Sequence, residues 1–420
     1  MATSNLIPTE QPTERVLLVG VVHPFQDVLE VEENLEELAR LTITAGGEVV
    51  GTVFQNRSTI DATYYIGKGK ADEIAAKVEM LQVDLVIFDD ELSPAQVKNL
   101  QRLMKKARII DRGFLILDIF ARHARTREAK TQVELAHWEY LLPRLTRQWT
   151  HLERQRAIGT RGGPGETQIE LDRRMIGQRI SRLKKDLTKI EQQRATRRKN
   201  RQDVYKVALV GYTNAGKSSL MNLLTDAQVL VEDKLFATLD TTVRTIDLEG
   251  YNILLSDTVG FIRKLPHNLI ASFKSTLQEV DDADLILKIV DINNPNYDKH
   301  LETVDSVLQE LGVTERQTLT IFNKIDLIGD QEVFTAALRQ FPDALAISVK
   351  TQININKLEK AILDTIRSGH TIQELMLSYD QQKLLAHLHT ISDVLEIEYL
   401  EESIRVKVKG SRALLDSIEK

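Results

Sequence analysis

The chain has 420 residues, of which 42% are hydrophobic and 28% are charged, the composition of a soluble globular protein with two or three domains. No stretch approaches the roughly 20 consecutive apolar residues that span a bilayer, and the first 14 residues lack the features of a signal peptide. We therefore expect a cytoplasmic protein without a membrane span. The absence of cysteine excludes disulfides, thiol catalysis and cysteine-ligated metal sites.

Strands and helices alternate after a flexible leader at 1–14. The pattern predicts strands at 15–22, 48–55, 84–88 and 108–111, separated by helices at 27–44, 70–81 and 93–106. Because parallel neighbours need crossover connections, this order predicts an α/β domain with a small parallel sheet at 15–126. The glycine–lysine run 67–70 has the spacing of neither common phosphate-binding motif, so we interpret it as a plain turn.

Apolar residues repeat at helical spacing through the next segment, 127–201. They are Leu135, Trp138, Leu142, Leu145, Trp149 and Leu152 in the first half, and Ile169, Ile176, Ile180, Leu183, Leu187 and Ile190 in the second. The spacing predicts two long helices packed as an antiparallel hairpin, the second at about 166–199. Pro143 removes a backbone donor and is expected to kink the first helix.

The hairpin is basic within an acidic protein. From Ala121 to Arg201 there are 21 Lys and Arg against 9 Asp and Glu, a net charge of +12. Since the whole chain has a net charge of −6, the rest of the chain carries −18. Such a patch is typical of proteins that bind phosphate backbones, although a solvated helix pair gives the same count. The glycine-rich connection at 158–165, with the single Arg161, is either a contact surface or a turn that reverses the chain.

A phosphate-binding loop begins at Gly211. The sequence GxxxxGKS follows an apolar strand at 207–210 and precedes a helix, which is the context that this motif requires. Backbone N–H groups of the loop wrap the phosphates, Lys217 places its charge on the β- and γ-phosphates, and the Ser218 hydroxyl can bind Mg²⁺. The predicted nucleotide-binding residues here are Gly211, Tyr212, Thr213, Asn214, Ala215, Gly216, Lys217, Ser218 and Ser219.

Two further segments point to a γ-phosphate sensor. The first is Asp257, Thr258, Val259 and Gly260 after a strand at 252–256, where the aspartate would lie near Mg²⁺ and a backbone N–H could contact the γ-phosphate. The second is the loop Phe236, Ala237, Thr238, Leu239 and Asp240. Three threonines, Thr238, Thr241 and Thr242, compete there as the second magnesium ligand.

The base is indicated by Asn323-Lys324-Ile325-Asp326 after a strand at 319–322. A carboxylate such as that of Asp326 can accept two parallel hydrogen bonds from guanine N1–H and its exocyclic amine, whereas adenine has no donors in that arrangement. We therefore expect GTP and GDP as ligands. Ser348, Val349 and Lys350 take the place of a fifth guanine-nucleotide motif, with valine where alanine is usual.

Several stretches resemble the HflX family of ribosome-associated GTPases: 159–170 with 172–174, then 65–70, and 236–240. The resemblance implies a Ras-like P-loop GTPase domain at 202–368 after the N-terminal α/β domain and hairpin. It also implies binding to the large ribosomal subunit and its RNA, and the splitting or rescue of stalled ribosomes under stress. By the family pattern, Thr238 joins Ser218 on Mg²⁺. The hairpin tip would contact RNA through Arg161, Gly162, Gly163 and Gly165.

The catalytic residues predicted on this pattern are Lys217, Thr238 and Gly260. Phe261 stands where many signalling GTPases carry a water-orienting glutamine, so we expect slow turnover alone and activation by the ribosome. Asn214 matches GTPases that use K⁺, which is a hypothesis here. We expect a monomer.

The small α+β C-terminal extension at 369–420 carries no interpretable motif. It should contain a helix near 378–390, two strands at 394–399 and 404–408, and a short final helix. Two alternative functions stay open at this point. One is a non-hydrolysing RNA-binding assembly factor with GTP as a structural ligand; the other is an ATP-dependent RNA remodeller whose N-terminal domain binds adenine nucleotide.

Overall fold

The structure is a computed structural model. It describes residues 13–24, 26–144, 168–198, 204–225, 235–236, 242–264, 278–313, 316–329, 331–368, 370–381, 384–385, 388, 393–400 and 403–411. The chain divides into two compact units. The first comprises Met1–Gln192, Leu230–Asp240 and Val259–Leu277, and the second comprises Gln193–Val229, Thr241–Thr258 and Gln278–Lys420. Across the described ranges, every helix is too short or too polar to cross a bilayer.

The first unit contains the predicted parallel sheet. Its described strands are β1 (Arg15–Val22), β2 (Glu48–Asn56), β3 (Leu85–Phe88) and β4 (Arg108–Asp111), in the order β2-β1-β3-β4. Helices α1 (Val28–Thr44), α2 (Lys68–Met80) and α3 (Pro94–Leu103) connect them. The apolar core on one side of the sheet includes Leu17, Val86 and Phe88 with Ile74 of α2 and Leu100 of α3.

One local prediction for this unit was wrong, and one helix was not predicted. The run at 67–70 is the start of α2, with Gly67 as its N-cap and the Gly67 N–H donating to Gln55 Oε1 at 2.9 Å. A helix that was not predicted, α4 (Arg112–His123), follows β4 directly, with Asp111 capping the Phe114 N–H at 3.0 Å. Its short apolar run follows a predicted strand directly, and a run of this length does not separate a helix from a strand.

The segment 127–201 contains two packed helices, as predicted, but the predicted antiparallel direction was wrong within the described residues. Glu134 of the first helix pairs with Arg179 of the second, and Glu139 pairs with Lys184, so the paired residues follow the same order along both helices. Helix α5 (Arg127–Leu141) ends in a 3₁₀ turn at Leu142–Arg144 that contains Pro143, and α6 (Gln168–Arg198) runs for 31 residues. Both helices contribute to one apolar cluster, formed by Leu135, Trp138, Leu142, Ile176, Ile180, Leu183 and Leu187. Leu145, Trp149, Leu152 and the glycine-rich tip lie outside the described residues.

The second unit has a mixed sheet of six described strands. They are β5 (Tyr205–Gly211), β6 (Thr242–Leu248), β7 (Tyr251–Asp257), β8 (Leu285–Asp291), β9 (Gln317–Asn323) and β10 (Leu345–Ala346), in the order β10-β9-β8-β5-β7-β6. All neighbours are parallel except β6, which is antiparallel to β7. The described helices are α7 (Lys217–Thr225), α8 (Gln278–Asp281), α9 (Tyr297–Glu310), α10 (Gln331–Gln340) and α11 (Ile355–Ser368).

The C-terminal residues form a three-stranded antiparallel sheet within the described part of the chain. Its strands are β11 (His370–Leu377), β12 (Asp393–Tyr399) and β13 (Ile404–Ser411), in the order β11-β13-β12. The last two were predicted, whereas β11 was missed because its alternation is interrupted by two adjacent polar residues, Gln373 and Glu374. Leu384, Leu385 and Leu388 are helical, as expected near 378–390. The predicted final helix lies outside the described residues.

Candidate nucleotide-binding site

The candidate site lies at one edge of the second unit's sheet. Strands β5, β7, β8 and β9 are parallel and end at Gly211, Asp257, Asp291 and Asn323. Because the carboxyl ends of parallel strands meet at the same edge, the loops that follow them are brought together. Open α/β sheets bind ligands in the crevice at this edge.

Two glycines of the phosphate-binding loop allow close backbone contacts. A Cβ atom at Gly211 would lie 2.2 Å from the Ile289 carbonyl oxygen, and one at Gly216 would lie 2.2 Å from Asn323 Nδ2. Gly216 also has a φ of +98°, which favours glycine. Asn214 adopts a left-handed φ of +62° between them. The loop therefore keeps its shape only with glycine at these two positions.

Lys217 is folded back onto its own loop. Its Nζ donates to the carbonyl oxygens of Gly211 at 3.0 Å and Tyr212 at 2.8 Å, and the residue is buried. Burial lowers the pKa of the Lys217 ammonium to about 8, against the opposing effect of the Asp257 carboxylate. The ammonium therefore lies in a poorly solvated loop, where an anionic ligand would stabilise its charge.

Ser218 and Asp257 form a pair of oxygen ligands. The Ser218 hydroxyl donates to Asp257 Oδ2 at 2.6 Å, while Asp257 Oδ1 is buried and has no hydrogen-bond partner among the described residues. Burial raises the pKa of the Asp257 carboxyl, and Lys217 and the Ser218 hydroxyl act in the opposite direction. Hydroxyl and carboxylate oxygens are the ligands that Mg²⁺ prefers, so the residues present fit this ion.

Two threonines near this pair differ in their roles. Thr258 is fully buried, and its hydroxyl donates to the Leu209 carbonyl oxygen at 2.7 Å, which ties the end of β7 to β5. Thr213 is also buried, but its Oγ1 has no partner in the described structure. A buried, unpaired hydroxyl within the phosphate-binding loop is available to a ligand.

The two segments predicted to bind the base are joined by Asn323 and Asp326. Asn323 Nδ2 donates to the Ala215 carbonyl oxygen at 2.9 Å and its Oδ1 accepts from the Val349 N–H at 3.1 Å. Asp326 Oδ1 accepts from the Ser348 hydroxyl at 2.5 Å. Asn323 therefore links the phosphate-binding loop to the loop of Ser348, Val349 and Lys350, and this second loop orients the Asp326 carboxylate.

The structure adds two residues that sequence reasoning missed, Asp291 and His300. Lys324 has a left-handed φ of +66°, and its Nζ lies 2.8 Å from Asp291 Oδ2 at the end of β8. The Tyr212 ring stacks on the His300 ring of α9, with centroids 3.7 Å apart and planes 5° from parallel. An aspartate ending an apolar strand was a usable signal for Asp291; His300 has no signal in the sequence.

The remaining predicted site residues lie in two places. Ala215 and Ser219 belong to the phosphate-binding loop and α7, while Phe236, Val259, Gly260 and Phe261 belong to the first unit and are buried. Outside the described residues are Ala237, Thr238, Leu239, Asp240, Arg161, Gly162, Gly163 and Gly165.

Comparison with known proteins assigns the chain to a family. A curated GTPase HflX of Magnetococcus marinus is 43% identical over 99% of this chain and 96% of its own length. The chain belongs to the HflX GTPases. A second member, the GTPase HflX of Escherichia coli, is 42% identical over 91% of both chains.

Family models agree with this assignment. The models describe a GTP-binding GTPase N-terminal region at 32–121, a GTP-binding GTPase middle region at 123–201, and a 50S ribosome-binding GTPase at 206–324. A GTP-binding protein from Sulfolobus solfataricus in complex with GDP is 25% identical, and the match covers 84% of this chain and 98% of that one with a TM-score of 0.43. HflX GTPases are GTP hydrolases, so the chain is an enzyme that binds guanine nucleotide.

Proposed function

We propose that this HflX GTPase hydrolyses GTP at the edge formed by β5, β7 and β9, with Mg²⁺ held by Ser218 and Thr238. The observation that carries the proposal is the Ser218 hydroxyl beside the buried Asp257 carboxylate, whose Oδ1 is unpaired. When bound, Mg²⁺ neutralises charge that develops on the β- and γ-phosphate oxygens. Asp257 orients the Ser218 hydroxyl through the 2.6 Å hydrogen bond.

The roles of the other residues follow from their contacts. Lys217 exchanges the Gly211 and Tyr212 carbonyl oxygens for phosphate oxygens, and the N–H groups of 213–218 surround the phosphates. The Gly260 N–H contacts the γ-phosphate. Asp326 accepts two hydrogen bonds from guanine, while Lys324 covers one face of the base. Asn214, in its left-handed conformation, is the proposed K⁺ ligand.

We propose that the partner is the large ribosomal subunit and its RNA. The support is the basic surface of α6, where Arg173, Arg182, Lys185 and Lys189 are exposed, together with the family description of a 50S ribosome-binding GTPase. The tip residues Arg161, Gly162, Gly163 and Gly165 would contact this RNA. The monomeric, cytoplasmic protein would split or rescue stalled ribosomes. The bound subunit would supply the group that orients the attacking water, which the Phe261 ring cannot do.

We propose that ribosome binding and nucleotide binding belong to different segments, with the boundaries expected from the sequence. The α/β subdomain at 15–126 and the basic segment at 127–201 would carry the ribosome contacts, and the domain at 202–368 would carry the nucleotide.

The base assignment is tested by Asp326→Asn. This change replaces one acceptor oxygen with an amide donor, which opposes the guanine amine but suits the carbonyl oxygen of xanthine. We expect weaker binding of GTP and stronger binding of xanthosine triphosphate, measured by fluorescence competition. Asp343→Asn, on an exposed loop, is the control. Unchanged GTP binding by Asp326→Asn would show that the guanine lies elsewhere.

A further inference from the structure

The Tyr212 side chain joins the phosphate-binding loop to α9. Its ring is stacked on the His300 ring, with centroids 3.7 Å apart and planes 5° from parallel, and Tyr212 is 5% exposed. At this separation the two rings are in van der Waals contact over their faces. Both residues belong to the second unit, so the stack and the candidate nucleotide site lie in the same compact body.

The helix that carries His300 is fixed on the sheet by contacts of its own. The next residue, Leu301, is buried in an apolar cluster that includes Phe322 of β9. Asp305, farther along α9, forms a 2.9 Å ion pair with Lys288 of β8. Because these contacts hold α9 against two strands, the position of the His300 ring is set by the sheet rather than by the loop.

The backbone of Tyr212 belongs to the predicted phosphate site. Its carbonyl oxygen accepts from Lys217 Nζ at 2.8 Å and from the Ala215 N–H at 3.3 Å. The following residue, Thr213, has the buried hydroxyl that is without a partner in the described structure. A displacement of the Tyr212 ring would therefore move the backbone that holds Lys217 and that leads into the N–H groups of 213–218.

Other contacts fix the two ends of the loop. At its start, a Cβ atom on Gly211 would lie 2.2 Å from the Ile289 carbonyl oxygen, so the backbones touch there. At its far end, Asn323 Nδ2 donates to the Ala215 carbonyl oxygen at 2.9 Å. Residues 212–214 lie between these points, and the aromatic stack attaches this middle part to a helix.

We propose that His300 is a positioning residue for the nucleotide phosphates, because its ring holds Tyr212 and thereby the loop that surrounds them. The proposal rests on the proposed function, in which Lys217 and the N–H groups of 213–218 bind the phosphates. A loop already held in its binding conformation loses less conformational freedom when the nucleotide binds. Because such loops surround the α- and β-phosphates, which GTP and GDP share, His300 contributes to the binding of both nucleotides.

The test is the affinity of the full chain for GDP and for a non-hydrolysable GTP analogue, measured by fluorescence titration with Mg²⁺ present. His300→Ala removes the ring and should weaken the binding of both nucleotides by a similar factor. We expect a factor between about 2-fold and 12-fold, the range for one aromatic pair. His300→Phe keeps a ring that can stack on Tyr212, so it should bind both nucleotides almost as tightly as the unchanged protein.

Two further variants separate positioning from general packing. Val304→Ala shortens a buried side chain of the same helix, so it should lower the free energy of unfolding while nucleotide affinity stays unchanged. Tyr212→Ala should weaken nucleotide binding, and its combination with His300→Ala should lose less than the sum of the two single losses, because both changes remove the same contact. Urea unfolding of each variant verifies that the titrations are made on folded protein.

The outcomes separate this proposal from the proposed function. Unchanged affinity in His300→Ala, or a loss confined to one nucleotide, would overturn the role of His300 alone. The same conclusion would follow if His300→Phe bound as weakly as His300→Ala, or if Val304→Ala weakened binding equally. If Lys217→Ala bound both nucleotides as tightly as the unchanged protein, the phosphates would lie elsewhere, and the proposed function and this proposal would fall together.

Discussion

Gly216→Ala is the change for which the structure gives the clearest expected magnitude. An added Cβ would lie 2.2 Å from Asn323 Nδ2, and the φ of +98° is unfavourable for alanine. The conformation costs about 1–2 kcal/mol. Displacing Asn323 breaks its 2.9 Å hydrogen bond to the Ala215 carbonyl oxygen, which costs about 1–3 kcal/mol in a buried setting. The total is about 2–5 kcal/mol.

A second glycine provides the matched control for this estimate. Gly250 has a φ of +86° in the turn between β6 and β7, and a Cβ there would meet nothing within 4 Å. Gly250→Ala should therefore cost only the conformational part, about 1–2 kcal/mol in the free energy of unfolding. The two variants should therefore differ by about 1–3 kcal/mol. If the folded Gly216→Ala protein must pay this difference to restore the loop when GTP binds, its GTP affinity falls by about 5-fold to 150-fold.

Urea unfolding and GTP titration of both variants measure these two quantities. We expect both variants to lose stability and only Gly216→Ala to lose GTP affinity by more than about fivefold. If Gly216→Ala bound GTP as tightly as Gly250→Ala, the contact between Gly216 and Asn323 would not shape the site, and the reasoning would be refuted.

Two further predictions concern charge and packing. Burial lowers the pKa of Lys217 from 10.5 to about 8, so the unfolded chain binds more protons between these values and stability should rise with pH there, by about 3 kcal/mol in all. Urea unfolding without nucleotide should show this rise between about pH 8 and 10.5, and its persistence in Lys217→Met would assign it to another group. Leu183→Ala, in the seam between α5 and α6, should lower the free energy of unfolding by about 2–4 kcal/mol, while Met175→Ala on the exposed side should change it little. Equal losses in thermal or urea unfolding would contradict the packing of α5 against α6.

The sequence was most informative where local chemistry decides the structure. The parallel sheet follows from alternating strands and helices, and the loop at Gly211 follows from a motif whose glycines the backbone requires. Helix α4 was missed because its short apolar run directly follows a predicted strand, and such a run cannot be assigned to a helix or a strand by periodicity alone. The stacking of Tyr212 on His300 could not be predicted, because it depends on how α9 packs beside β5.

Some features depend on contacts between residues far apart in the chain. Lys264 and Asp89 form an ion pair although they are separated by 175 positions, and neither belongs to a motif. The ion pair between Lys324 and Asp291 likewise depends on β8 and β9 being neighbours. Sequence spacing cannot indicate such pairs, because their geometry is set by the order of strands in the folded sheet.

The central proposal is that the large ribosomal subunit activates this HflX GTPase. The most direct measurement is steady-state GTP turnover by the purified protein, with and without large subunits, with Lys217→Ala as the blank. Because Phe261 cannot orient water, we predict slow turnover alone and stimulation by at least about tenfold when large subunits are added. Equal turnover with and without large subunits, in a protein shown to bind GTP, would contradict the account.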